Sequence, residues 1–301
     1  VKKQDLIDFI KMRVSDKSAQ EIGGFSGKFD FGDQFLLAAT DGIGTKLDLS
    51  RWCNDYSTVG HDLVAVSVND IVAHGGKPLF FLDYMGCDHI NYFAFEVILR
   101  GITQACETAR CLLIGGETAE LPYTYTDSHF DMAGFAVGIV DKDKILPKNN
   151  IVPGDVILGL SSDGIHSSGF REIFERTDLK LLPHRLLKPT RIYVRPCLNV
   201  LAQTDQIKAL VHITGGGLTE NIPRVLPPGL SFKLGNWDIP EIFQEIKTRG
   251  HFSQTEMLGI FNCGVGMAVI IDKRQVKWIS KLFKDEGEQV QVIGEVMEGL
   301  T

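Results

Sequence analysis

Four times in this chain an apolar run stops in a glycine turn whose lip carries reactive side chains, and that recurrence limits the possible folds more than any other feature. Phe35-Leu36-Leu37-Ala38-Ala39 runs into Asp41-Gly-Ile-Gly-Thr-Lys46. Gly115-Gly-Glu-Thr118, Ser162-Asp-Gly-Ile-His166-Ser-Ser-Gly169 and Thr214-Gly-Gly-Gly217 repeat the plan. Glycine takes positive φ without steric cost and lets backbone approach a ligand closely. Helical periodicities lie between these turns, so strands and helices alternate. Such alternation favours two α/β to α+β domains over one barrel.

The first turn lacks the spacing of a P-loop and the third glycine of a dinucleotide-binding turn. Asp41 offers a hard oxygen, Thr45 a hydroxyl and Lys46 a cation, which together suit a metal-bridged polyphosphate. An ordinary strand-end turn with a polar lip reads equally well on this stretch alone.

A chain of 301 residues has room for two cores. The polar segment from Asp141 to Asn150 is the natural boundary, giving residues 1–148 and 149–301. A net charge of −7 argues against nucleic acid, which needs a basic face. Phosphate binding then requires a metal ion or backbone donors. The six cysteines form no Cys-x-x-Cys pair and read as buried thiols of a reducing, cytoplasmic compartment. No apolar run is long enough for a bilayer. Val1-Lys2-Lys3-Gln4 leads into an amphipathic stretch rather than a signal-peptide core, and without an initiator methionine the start reads as cropped or processed.

Periodicity predicts a helix over 58–73. Asp62 and Asn69, seven apart, share a face of it, with Asp70 beside them. We read these polar residues as site-facing, against the alternative of an interhelical or capping hydrogen bond. A strand over 78–84, a helix over 91–109 and a short strand over 111–114 follow; the last turns at Gly115-Gly116 to present Glu117. Helices are expected over 190–201 and 238–249, and a strand over 209–213. Asp41, Asp70 and Glu117 are hard oxygen ligands suited to magnesium, although Asp70 and Glu117 also read as helix caps. His166, amid glycine and serine, reads as exposed and ligand-facing. His212, ending an apolar strand, reads more readily as a core histidine than as a ligand contact.

Several stretches together resemble the aminoimidazole ribonucleotide synthetases of purine biosynthesis, the phosphoribosylformylglycinamidine cyclo-ligases. They are the turn 41–46, Asp62-Leu-Val-Ala-Val-Ser-Val-Asn-Asp-Ile71, Pro78-Leu-Phe-Phe-Leu-Asp-Tyr84 and Gly115-Gly-Glu-Thr-Ala-Glu-Leu-Pro122. In the second half they are Pro189-Thr-Arg-Ile-Tyr-Val194, Ile213 to Leu226, and Phe261-Asn-Cys-Gly-Val-Gly-Met267.

The resemblance implies an ATP-dependent cyclo-ligase that turns formylglycinamidine ribonucleotide into aminoimidazole ribonucleotide, ADP and phosphate. It implies a homodimer whose N-terminal mixed sheets pair into a barrel, each beside a C-terminal α+β domain. ATP and Mg2+ would lie at Asp41, Gly42, Gly44, Thr45, Lys46, Asp62, Asn69, Asp70, Gly116 and Glu117, with Asp41, Asp70 and Glu117 on the metal. Ser167, Thr214, Gly215, Gly216, Gly217 and Asn221 would bind substrate, and Lys46, His166 and His212 would carry charge or protons in the reaction. The sequence departs from the family at Ser26, where a glycine is usual in the early glycine loop, and at Ser168 and Phe170, where asparagine and tyrosine are common. Rival readings are a thiamine-monophosphate kinase-like or selenophosphate synthetase-like enzyme, and a nucleotide-binding protein without catalysis.

Overall fold

The structure is a computed structural model and describes residues 3–14, 22–127, 129–178 and 183–299. Val1 and Lys2, which open the amphipathic N-terminal stretch, lie outside them, as does most of the segment ahead of the glycine loop.

The first half contains α1 (Lys3–Arg13), β1 (Gly27–Phe31), β2 (Gln34–Gly42), α2 (Lys46–Cys53), α3 (Val59–Ala73), β3 (Lys77–Cys87), α4 (Tyr92–Ala109), β4 (Leu112–Glu120) and β5 (Phe130–Asp141). Its strands form one mixed sheet in the order β1-β2-β5-β3-β4. Only β3 and β4 run parallel, and α4 is the crossover between them. Side chains alternate across the strands. Leu37 and Ala39, Phe81 and Met85, Met132 and Ala136 point to one face and are buried beneath the helices. The other face carries Phe29, Leu36, Leu112 and Phe135, and among the described residues Phe29, Leu112 and Phe135 stay exposed on it.

α3 is the central element. Thirteen of its residues are buried, including Asp62, Ser67 and Asn69. A helix apolar on nearly every side belongs between layers. One side of α3 packs on β2, β3 and β5, and the other meets the second half of the chain. Each large apolar side chain buried there contributes about 1.5–3 kcal/mol. Its crossing with α4 is backbone to backbone, since a Cβ on Gly60 would sit 2.0 Å from the Ile98 carbonyl oxygen.

The second half contains β6 (Val156–Ser161), α5 (Phe170–Arg176), α6 (Pro183–Leu186), α7 (Val194–Leu201), β7 (Ile207–His212), α8 (Gly217–Asn221), β8 (Leu230–Leu234), α9 (Glu241–Arg249), α10 (Gln254–Ile260), β9 (Val265–Ile271), α11 (Val276–Asp285) and β10 (Val290–Glu298). Its sheet runs β7-β9-β6-β10-β8, antiparallel at every pairing. α7 and α11 share a hydrophobic cluster with α3 and the first sheet. Residues of α5, α8, α9 and α10 fill the core on the opposite face.

Three expectations are corrected. Gly115-Gly116 is not a turn: β4 runs straight through it to Glu120, held in parallel register with Leu82 to Cys87. Residues 190–193 are not helical, and α7 begins only at Val194. The helix expected from Asp238 begins at Glu241. Strands β1 and β8 and helices α2 and α10 were not legible as elements.

Candidate functional site

A cavity of about 450 Å3 opens at the seam of the two halves, built from the ends of three strands. β2 delivers Asp41 to Gly44, β6 delivers His166 to Ser168, and β7 delivers His212 to Gly216. Thr190 and Val66 close its floor, and Glu220 of α8 stands at its side. Three of the four expected turns therefore converge. The fourth does not.

The polar residues of α3 explain why the seam closes in this register. Asp62 Oδ1 accepts hydrogen bonds from the Thr190 backbone N–H and hydroxyl, both at 2.7 Å. Two turns on, Asn69 Nδ2 donates to the Arg191 carbonyl at 2.9 Å, and its Oδ1 accepts from the Tyr193 N–H at 2.9 Å. His61 Nε2 lies 3.0 Å from the Thr190 carbonyl oxygen. These bonds satisfy the buried backbone of 190–193, which a helix would have satisfied internally. Asp62 and Asn69 are thus clamps on the second half rather than cavity walls.

Lys46 is the first residue of α2 and is wholly buried. Its Nζ pairs with Asp62 Oδ2 at 2.7 Å and donates to the Lys188 carbonyl at 2.7 Å. Burial pulls its pKa down, against the pull of Asp62. It does not line the cavity, and Thr45 beside it is the helix N-cap.

His166 is corrected from exposed to buried, at 3 % accessibility, and its backbone has φ 63°. The N–H groups of Asp163 and Arg191 both donate to Nε2, at 3.4 and 3.3 Å. Burial pushes its pKa well below the usual histidine value, and His212, Lys46, Arg191 and His61 push the same way. The ring is neutral, Nε2 is its acceptor, and the proton sits on Nδ1, which is buried without a partner. Ser167 hydrogen-bonds the Thr190 hydroxyl at 3.0 Å.

His212 is buried at the end of β7, with Nδ1 2.7 Å from Asp70 Oδ1 and Nε2 3.5 Å from Asn69 Nδ2. Nδ1–H donates to the carboxylate, and Nε2 accepts from the amide. Asn221 is buried too. Its Nδ2 faces the carbonyls of Thr214, Gly215 and Gly217 at 2.8–3.3 Å, so it shapes the turn instead of meeting a ligand. Gly216 and Gly217 have φ of 90° and 56°. A Cβ on Gly217 would strike the Leu258 carbonyl oxygen at 2.3 Å, whereas a Cβ on Gly215 or Gly44 would meet nothing within 4 Å. Glycine at 215 is therefore not required by packing within the chain, and the open space before it fits a ligand.

Gly116 and Glu117 are elsewhere. Register aligns Asp41 with Gly134, Asp83 and Gly116, three strand spacings or about 14 Å across the sheet. Glu117 shares its face with Tyr84 and Ala133, the open face, while Asp41 shares the helix-covered face. One chain does not bring Asp41 and Glu117 to one ion. Among the described residues no three His, Cys, Asp or Glu side chains cluster as a metal site. Asp41 lines the cavity and Asp70 stands on its lining residue His212, and both offer hard oxygens of the kind magnesium takes. Both lie within electrostatic reach of Arg224.

Sequence reasoning missed Thr190, Arg191 and Arg224. Arg224 donates to the Gly23 and Gly24 carbonyls and lies 4.2 Å over the Phe25 ring, so it fastens the early glycine loop. The signal was present for Arg191: a charge two residues after Pro189, immediately ahead of the apolar run Ile192-Tyr193-Val194.

One mixed and one antiparallel sheet meeting along the buried helix α3, with three strand-end turns at the seam, define the class. Residues 26–140 match the AIR synthase related protein, N-terminal domain, and residues 152–300 match the C-terminal domain. The chain belongs to the phosphoribosylformylglycinamidine cyclo-ligase family. It is 45% identical over 307 residues to the protein of that name from Paraburkholderia phymatum, covering 96% of this chain and 86% of the relative. It is 44% identical to that from Cupriavidus necator, covering 96% and 87%. Among solved structures it is similar to a HypE–HypF complex, with TM-score 0.73, 17% identity and coverage of 98% and 93%. It is also similar to AaThiL complexed with AMPPCP and TMP, with TM-score 0.69, 18% identity and coverage of 99% and 91%. Identities this low speak for the shared fold alone.

Proposed function

We infer that this chain is an ATP-dependent cyclo-ligase, converting formylglycinamidine ribonucleotide to aminoimidazole ribonucleotide with release of ADP and phosphate. The observation that carries the inference is the convergence of the 41–44, 166–168 and 212–216 turns on one seam cavity, in a chain of this family. An amide oxygen leaves poorly. Phosphorylating it makes a good leaving group, which the neighbouring amidine nitrogen displaces as the ring closes. Closure is intramolecular, so the protein's contribution is positioning and charge neutralisation.

Asp41 and Asp70 would hold magnesium, which would neutralise charge on the transferred phosphate. Asp70 is steadied by His212, and its other oxygen is left for the metal. The Thr214–Gly216 turn and Ser167 bind substrate polar groups. His166 has Nε2 occupied by two backbone N–H groups, so its role is to shape the cavity wall rather than to abstract a proton. Lys46 supplies fixed positive charge behind the cavity wall, through its pair with Asp62.

We place the division of the chain at 148/149, in the segment joining β5 to β6. The open face of the first sheet exposes Phe29, Leu112 and Phe135 together, and grouped exposed apolar side chains mark interaction surfaces. A second copy covering it would form the homodimer and its barrel. Glu117 lies on that face, so it and Gly116 would reach a nucleotide only across such an interface. The family's place in purine synthesis, the absence of a long apolar helix among the described residues and six free thiols support a cytoplasmic setting.

The test is ADP release by the purified protein with formylglycinamidine ribonucleotide or thiamine monophosphate as substrate. Release with the first alone is expected. Release with the second alone, or with neither despite ATP binding, would refute the reading.

A further inference from the structure

His166 hangs on a turn whose conformation it does not favour, because a non-glycine residue at φ 63° is uncommon. Two sets of bonds hold that turn. Asn262 Nδ2 donates to the Gly164 and Ile165 carbonyls at 2.9 and 3.1 Å. Arg191 does the rest. Its guanidinium spans two carboxylates, Asp163 of the turn at 2.8 Å and Glu288 at the foot of β10 at 3.1 Å. Its own backbone N–H points at His166 Nε2.

Glu288 is nearly buried and contributes nothing to the cavity wall. Burial raises its pKa against the pull of Arg191. Burial also works against the Arg191 charge, but Glu288 and Asp163 more than offset it. A buried carboxylate with one oxygen unpaired is costly unless it holds something in place. The thing it holds is Arg191, and through Arg191 the His166 turn.

We propose that Arg191 and Glu288 are positioning residues that lock His166 in its Nδ1–H form, as a fixed hydrogen-bond donor beside the cavity. The planar fork of arginine reaches both carboxylates while its backbone N–H occupies Nε2; a lysine ammonium is a single point and does not span them. With Nε2 occupied by two N–H groups, the ring has no free acceptor nitrogen, and Nδ1–H is its one donor without a partner. The groups facing the ring are His212, Lys46, Arg191 and His61, each a potential cation, so the neutral form is the one the surroundings favour.

The kinetic consequence rests on the ring-closure reading, but the state of the ring does not. Two-bond proton–nitrogen spectra of protein labelled with 15N-histidine, the His166 signals assigned by their loss in His166→Asn, read the tautomer without substrate. The wild type is expected to show a protonated Nδ1 and an acceptor Nε2. Arg191→Lys and Glu288→Gln are expected to move both signals toward tautomer averaging. Each should lower kcat roughly tenfold or more, as supporting-shell changes do, with KM nearly unchanged. In the His166→Asn background the same changes should add less than about twofold, because the pathway runs through His166. A wild-type ring protonated at Nε2, or His166 signals unmoved in the folded variants, overturns the proposal; should Arg191→Lys not fold, Glu288→Gln decides it. A wild-type protein without cyclo-ligase activity would strike the functional reading alone, since the nitrogen signals still decide this one.

Discussion

Replacing Asp62 with asparagine isolates the charge at the seam. The amide oxygen still accepts from Thr190, so the backbone bonds at 190 survive. Lys46, wholly buried, loses its counter-ion and keeps only the Lys188 carbonyl. Leaving one member of a buried pair uncompensated costs about 3–5 kcal/mol. An independent bound agrees: taking the Lys46 proton from its ordinary value of 10.5 down to pH 7 costs about 5 kcal/mol. The folded variant therefore sheds the proton when the penalty exceeds that figure. At pH 10 the same deprotonation costs only about 0.7 kcal/mol. The destabilisation should thus be about 3–5 kcal/mol at pH 7 and shrink toward 1 kcal/mol at pH 10. The sign follows from linkage: the unfolded variant binds a proton that the folded variant lacks, so folding strengthens as pH rises. Urea denaturation of wild type and variant at the two pH values reads the difference. A loss below about 1 kcal/mol at pH 7, or one that ignores pH, refutes the buried-pair reasoning.

Other outcomes follow from the same geometry. Gly60→Ala puts a methyl 2.0 Å from the Ile98 carbonyl oxygen, so α3 and α4 must separate; thermal melts should show a loss of at least about 1–3 kcal/mol, and an unchanged melt would contradict the crossing. His166 is neutral when folded but protonates below pH 6.5 when unfolded, so the stability it permits is intact above 6.5 and falls by up to about 1.4 kcal/mol per pH unit below it. His61 is lowered as well, by burial, and adds to that slope. The slope should be shallower in His166→Asn, and an unaltered slope would deny the neutral ring. Phe135→Lys on the open sheet face should convert the proposed dimer to monomer in sedimentation and lower activity with it; a monomeric wild type would refute the covered face, and an unaffected dimer would place the interface elsewhere.

The turn at Asp41 was legible because it is local: an apolar strand and two glycines say where the chain must stop. The convergence of the turns at 166 and 214 with it was carried by resemblance, since spacing alone leaves strand order open. What misled was long-range. Lys46 looked like a phosphate cation because a lysine after a glycine turn is usually exposed; its burial depends on Asp62 and on a carbonyl 142 residues away. Ile192 and Tyr193 continue the apolar pattern of α7, yet Asp62 and Asn69 hold 190–193 in irregular, non-helical backbone. Gly115-Gly116 mimicked a turn because the pairing with β3 that keeps it straight is invisible in a single stretch. Asn69 and Asp70 look equivalent in sequence, but one grips backbone and the other a histidine at the cavity.

The most direct measurement is product formation by purified wild type and Asp70→Asn, with ATP, magnesium and formylglycinamidine ribonucleotide, each protein checked for folding by circular dichroism. The wild type should yield aminoimidazole ribonucleotide and ADP in equal amounts, and the folded variant at least a hundredfold less, on the order of losing a key stabiliser of transferred charge. No imidazole product from the folded wild type, or a near-normal rate in Asp70→Asn, would contradict a seam cavity that holds the metal and the phosphates.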